Sequence, residues 1–142
     1  MATFYMNEGA FDLPDLGFTD QTVHLFSAPL EGGGELGLVI ARSKLPPGKT
    51  LADVVAAHVE RESKTLRAFS VLSRREAQLE NVPAIDVACR YRSGAEMTYQ
   101  RQFHFVAYGL WLLVGTSAPL EKRAACDECL GHVLGSFRLR EM

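Results

Sequence analysis

Between residues 50 and 66 the apolar positions Leu51, Val54, Val55, Val59 and Leu66 recur at helical spacing, with His58 and Glu62 inside the same repeat. Asp53, Glu60, Arg61 and Lys64 fall largely on the opposite, wet side. Thr50 stands where an N-cap belongs, and Asp53 at the third helical position supports both the cap and the helix dipole. A second helix is predicted from about Glu121 to Leu134, where Cys126, Leu130, Val133, Leu134 and Phe137 trace a buried stripe. Gly135 would stop it, and Phe137 to Leu139 would add a last short strand.

Elsewhere the chain reads as strands and turns. Thr22 to Ala28 and Leu36 to Arg42 flank Gly32-Gly33-Gly34, which predicts a flexible hairpin loop. After the turn Leu45-Pro46-Pro47-Gly48-Lys49 and the first helix, strands are expected at Phe69 to Leu79, Ala84 to Tyr91, Met97 to Tyr108 and Leu110 to Ser117. They are joined by Asn81-Val82-Pro83, Ser93-Gly94 and Tyr108-Gly109, and Pro119 ends the series. Consecutive strands with short turns form an antiparallel meander. The predicted order is β-β-β-α-β-β-β-β-α, an α+β fold with a mostly antiparallel twisted sheet and two helices packed on one face.

The strands do not alternate cleanly between apolar and polar residues, as a sheet wetted on one face would. Leu36, Leu38 and Ile40 share one parity while Val39 and Ala41 take the other; Leu110, Leu112 and Val114 are offset against Trp111 and Leu113. Val23 and Leu25 share a face, with Phe26 opposite. Both faces are therefore apolar, and two helices on one of them would leave the other partly open. A large exposed apolar patch usually marks a binding surface; a twin subunit or a long loop would cover it equally well.

Composition narrows the function classes. At 142 residues the chain fits one domain spanning residues 1–142, and 47% hydrophobic with 23% charged residues is ordinary for a globular protein. Fifteen Lys and Arg against 17 Asp and Glu argue against phosphate neutralisation, and so against nucleic acid as a partner. Cys89, Cys126 and Cys129 are too few for a disulfide framework. No run approaches the roughly 20 apolar residues of a membrane span, and the N-terminus lacks a signal-peptide pattern. A cytoplasmic protein without stable membrane insertion is the expectation.

The candidate chemical motifs are weak. Gly48-Lys49-Thr50 resembles the end of a phosphate-binding loop, but Ser43 stands where that motif needs its first glycine. Cys126-Asp127-Glu128-Cys129 lies mid-helix beside two acids that disfavour a thiolate, and only His132 is near enough to add a metal ligand. Cys126 reads as core. His24, His58, His104 and His132 are scattered, no Ser or Cys nucleophile stands in a recognisable motif, and Asp12 and Asp15 occupy a Pro-containing turn. No catalytic residue, metal site or cofactor is expected. Gln100 and Gln102, two apart on one strand, project to one face: ordinary wet residues, or, on a groove floor, fixed hydrogen-bonding points.

Several segments resemble a known family. They are Tyr5 to Phe26, with Asn7-Glu8-Gly9, Phe11-Asp12-Leu13-Pro14 and Asp20-Gln21-Thr22-Val23-His24-Leu25-Phe26; Ala57-His58-Val59-Glu60; and Arg101-Gln102-Phe103. Together they resemble the DcrB-like family, and within it the effector-associated (Eag) chaperones of bacterial type VI secretion. The resemblance covers nearly the whole chain in element order. It implies a PsbP-like fold and a homodimer that binds the N-terminal transmembrane region of a cognate PAAR-domain effector, shielding those helices in the cytosol until the spike is loaded. It further implies a groove lined by Val23 and Leu25, with a groove glutamine at Gln102. His58 falls where the family carries a second glutamine and departs from the pattern. The client-binding residues expected on these grounds are Val23, Leu25, His58, Gln100 and Gln102. The alternatives are a non-catalytic homodimeric adaptor, or an enzyme whose site the sequence does not reveal.

Overall fold

The computed structural model describes residues 2–6, 9–16 and 21–140. Asn7, Glu8 and Asp20, quoted above for the resemblance, lie outside them. The order of elements is β1 (Ala2–Met6), β2 (Gly9–Leu13), β3 (Val23–Pro29), β4 (Glu35–Lys44), α1 (Leu51–Thr65), β5 (Arg67–Leu79), β6 (Val82–Ser93), β7 (Glu96–Ala107), β8 (Leu110–Pro119) and α2 (Arg123–Ser136), the last preceded by a 3-10 turn at Leu120–Lys122. The first two strands pair as a separate antiparallel hairpin, so Asp12 belongs to a strand and not to a turn. The other six form one antiparallel sheet in the order β3-β4-β8-β7-β6-β5.

Turn chemistry explains the meander. Tyr108 and Gly109, with φ of 55° and 74°, make the two-residue β7–β8 turn with both central residues left-handed, the form whose twist matches paired strands. The glycines at 32–34 all have positive φ and carry the β3–β4 connection, where Lys122 Nζ donates to the carbonyl oxygens of Glu31 and Gly33. At the start of α1, Asp53 N–H donates to Thr50 Oγ1 and Thr50 N–H to Asp53 Oδ2, a reciprocal cap. Such a cap contributes about 1 kcal/mol.

The helices take opposite faces of the sheet, which corrects the expectation of one. Leu130 of α2 packs with Phe103, Phe105 and Val114. Val55 of α1 packs with Ile85 and Val87, which point the other way from β6. The physical reason lies in the strands: with both parities apolar, each face needs its own cover. On the α2 face Arg101 forms ion pairs with Asp86 and Asp127, and the hydroxyl of Tyr99 donates to Asp127, tying the helix to the sheet. Residues 137–140 form no strand; Phe137 and Leu139 instead pack against the α2-side core.

Candidate functional site

Antiparallel register fixes which side chains share the α1 face. One row across the sheet runs Leu25, Val39, Gly115, Gln102 and Val87; the next runs Val23, Ala41, Leu113, His104 and Ile85; a third runs Ser27, Gly37, Ser117, Gln100 and Cys89. Helix α1 covers the β5–β6–β7 end of these rows. Among the described residues no helix covers the β3–β4–β8 end. Its outermost residues are far more exposed than apolar side chains should be, Leu25 at 77% and Val23 at 53%.

The floor is apolar where it is open. Val23 and Leu25 lead inward through Val39, Ala41 and Leu113, and Gly115 keeps the middle of the floor low. A Cβ there would meet Val39 Cγ1 at 3.0 Å and the Arg101 carbonyl oxygen at 3.4 Å. Against the flank of α1 the floor deepens into a concavity of about 290 Å³, where Val23, Ala41, Leu113 and Trp111 meet His58 and Arg61. Larger depressions of about 500 and 700 Å³ lie elsewhere on the surface, and neither includes any of the five expected residues.

Where the floor passes under α1, a polar network replaces the apolar rows. Trp111 Nε1–H donates to His104 Nδ1 at 3.0 Å, and His104 Nε2 lies 2.9 Å from Gln102 Oε1. Gln102 Nε2 in turn donates to Glu62 Oε1 and to Gln100 Oε1, and Cys89 Sγ donates to the same Gln100 oxygen at 3.3 Å. His58 Nε2 closes the series 3.2 Å from Glu62 Oε1, and its ring meets those of His104 and Trp111 edge-on. Both ends of the Gln102 amide and both ring nitrogens of His104 are thus matched to complementary atoms, as buried networks require.

Burial and partners set the charge states. Burial pushes Glu62 upward, but hydrogen bonds from His58 and Gln102 outweigh it and hold the carboxyl below its usual range. Burial depresses His104 to about 3, with a smaller push from the His58 and Arg74 charges. Its Nδ1 accepts from Trp111 while Nε2 donates to Gln102, so the ring is neutral with its proton on Nε2. Burial, reinforced by Glu62, raises the Cys89 thiol to about 12, which removes it as a nucleophile near neutral pH. Among the described residues no three His, Cys, Asp or Glu side chains converge as a metal would need.

All five expected residues therefore lie on, or border, one face, in different roles. Val23 and Leu25 are open floor. His58 is half-buried on the α1 wall. Gln102 is fully buried with both ends of its amide engaged, so it braces α1 and does not face the opening. Gln100 is half-buried beside it. Val39, Ala41, Leu113, Gly115 and Trp111 complete the floor; all but Gly115 were visible as strand parities, but only the register joins them to Val23 and Leu25. Glu62 was legible as the helical neighbour of His58, one turn on.

Comparison with known proteins agrees with the fold. No curated protein is significantly similar in sequence. In fold, PA94 of Pseudomonas aeruginosa, a protein of unknown function, superposes with a TM-score of 0.84 at 19% identity, over 100% of this chain and 99% of that one. LpqN, involved in cell envelope biogenesis of Mycobacterium tuberculosis, gives 0.56 at 12% identity over 80% and 78%. Cyanobacterial PsbP from Synechocystis gives 0.50 at 12% over 89% and 95%, which identifies the fold as PsbP-like. Among the described residues no helix is long and apolar enough to cross a membrane. Residues 8–136 match the family model for DcrB, and the chain belongs to the DcrB family.

Proposed function

We propose that this protein is a non-catalytic chaperone that holds an apolar helical segment of another protein against the open β3–β4–β8 floor, beside α1. The observation carrying this reading is the contiguity of exposed Val23 and Leu25 with Val39, Ala41 and Leu113 on a face where α1 stops short. The resemblance to Eag chaperones supplies the client: the N-terminal transmembrane helices of a PAAR-domain effector of type VI secretion, shielded in the bacterial cytosol before loading on the spike. Such helices carry roughly 20 apolar residues that water disfavours. Covering about 600 Å² of them is worth roughly 15 kcal/mol gross, before association and ordering costs are subtracted. The protein acts as a homodimer in this account.

His58 takes the wall position that the family gives to glutamine, so its ring and Arg61 border the concavity nearest Trp111. Co-expression with the N-terminal fragment of a neighbouring PAAR effector, followed by pull-down, tests the proposal. Wild type should capture the fragment and folded Leu25→Asp should not. Equal capture by both would refute the face assignment. The second reading, a homodimeric adaptor whose apolar face is consumed by self-association, rests on the same exposure of β3. It predicts a dimer that binds neither the fragment nor a hydrophobic dye.

A further inference from the structure

The two edges of the six-stranded sheet are built differently. Strand β5 breaks register with β6 twice, between Arg67 and Ser70 and between Val71 and Ser73, and carries Arg67, Arg74, Arg75 and Glu76. Bulges and charges of this kind keep an edge from pairing. Strand β3 has neither: its register with β4 is unbroken from Val23 to Pro29, and it carries no Asp, Glu, Lys or Arg.

The direction of its free backbone groups follows from one bond. Arg42 N–H donates to the Thr22 carbonyl at 3.0 Å, so the Thr22–Arg42 pair is hydrogen-bonded. Bonded and non-bonded pairs alternate in an antiparallel ladder. His24, Phe26 and Ala28 therefore bond to β4, while Val23, Leu25 and Ser27 turn N–H and C=O outward. Pro29 holds the next outward position and has no N–H to offer.

We infer that this edge pairs with β3 of a second copy, antiparallel and two-fold about Leu25. That register sets Val23 against Ser27 of the other copy and Leu25 against itself, satisfying all three outward donors within the strand. Pairing about Phe26 would instead oppose Val23 to the donorless Pro29. Because the strand has no acidic or basic residue other than His24, two copies meet there without the repulsion their net charge of -2 would create elsewhere.

The inference deepens the homodimer of the proposed function and, for its consequence, rests on that reading. Paired residues share a face, so the two Leu25 side chains lie side by side and the two open floors become continuous. Three open strands per copy at about 4.8 Å spacing give a floor of roughly 14 Å, and six give about 29 Å. A 20-residue helix is about 30 Å long. One copy holds half such a helix; the pair holds all of it.

Cysteine cross-linking in a Cys129→Ser background tests the register, since Cys89 and Cys126 are buried. Directly opposed, hydrogen-bonded residues lie about 5.5 Å apart at Cα, within disulfide reach. Leu25→Cys should give an intermolecular disulfide under mild oxidation and Phe26→Cys should not. In sedimentation, Leu25→Pro, which removes an outward N–H while sparing the hydrogen bonds to β4, should weaken self-association by more than about tenfold. A monomeric wild type, or cross-linking through Phe26→Cys instead, would overturn the pairing; so would Leu25→Cys joining only to the effector fragment. Effector capture by a monomer would sink the pairing but keep the binding face, whereas a cross-linked dimer that captures nothing would do the reverse.

Discussion

His104 is held neutral from both sides. Trp111 Nε1–H donates to its Nδ1, so a proton added there would face another proton, and no water reaches the fully buried ring. With a native pKa of about 3 against an ordinary 6.5, the unfolded chain binds a proton that the native state refuses. This contribution to stability is complete above about pH 6.5 and is lost as the pH falls from there toward 3. At pH 4.5 the loss through this group is about 2–3 kcal/mol, at 1.36 kcal/mol per unit. Glu62, held below its ordinary 4.5, gives stability that is present above 4.5 and lost only at lower pH, so it does not account for the upper window. Urea unfolding at about pH 7, 5.5 and 4.5 reads the effect, with Trp111, the one tryptophan in the chain, as fluorescent reporter against the His104 ring. His104→Phe should be less stable than wild type at pH 7, because Trp111 Nε1 and Gln102 lose a partner, yet should show a flatter slope between pH 6.5 and 4.5. Equal slopes in the two proteins would refute the argument.

Three further outcomes follow from other parts of the molecule. Arg101→Met leaves the largely buried Asp86 with only the longer, exposed Arg75 contact at 3.5 Å and should cost about 2 kcal/mol, read from the urea midpoint. Gln102→Leu leaves Glu62 and His104 each short of a buried hydrogen bond and should cost about 2–4 kcal/mol. With an aromatic disulfide reagent near neutral pH, the native protein should react at Cys129 first, while Cys89 and Cys126, buried and raised to about 12 and about 11, should react only on unfolding.

Much of the fold was legible because local chemistry and tertiary packing agree in it. The Thr50–Asp53 cap, the Tyr108-Gly109 turn and the two-faced strands each announce their structure in a few residues. The PsbP-like fold and the DcrB family followed from a resemblance spread over the chain. The distribution of the helices was not legible. Periodicity shows that α1 and α2 each have an apolar stripe, but the face each takes depends on which residues of β6 and β7 it meets, and that is a matter of register across strands distant in sequence. The predicted order has one strand before Thr22 where the structure has two; the second was missed because a strand of Gly9–Leu13 containing Asp12 and followed by Pro14 looks locally like a turn. The short strand expected at Phe137 to Leu139 failed for a different reason: those side chains serve the core by packing beneath α2, without a sheet edge to join.

The candidate site divides along the same line. Val23 and Leu25 could be paired by parity alone. Gln102 also reads as a surface glutamine by parity, and only the return of α1 over β7, which brings Glu62 to its amide, makes it an internal brace. A sequence records which face a residue takes within its own strand. It does not record where a helix forty residues away ends.

The most direct test of the binding face is site-specific photo-cross-linking to the effector's apolar N-terminal fragment, with a photoreactive amino acid replacing Leu25 on the open floor or His132 on α2 at the opposite face. The account predicts a cross-link to the fragment from position 25 and none from position 132. Labelling from position 132 with none from position 25 would contradict it.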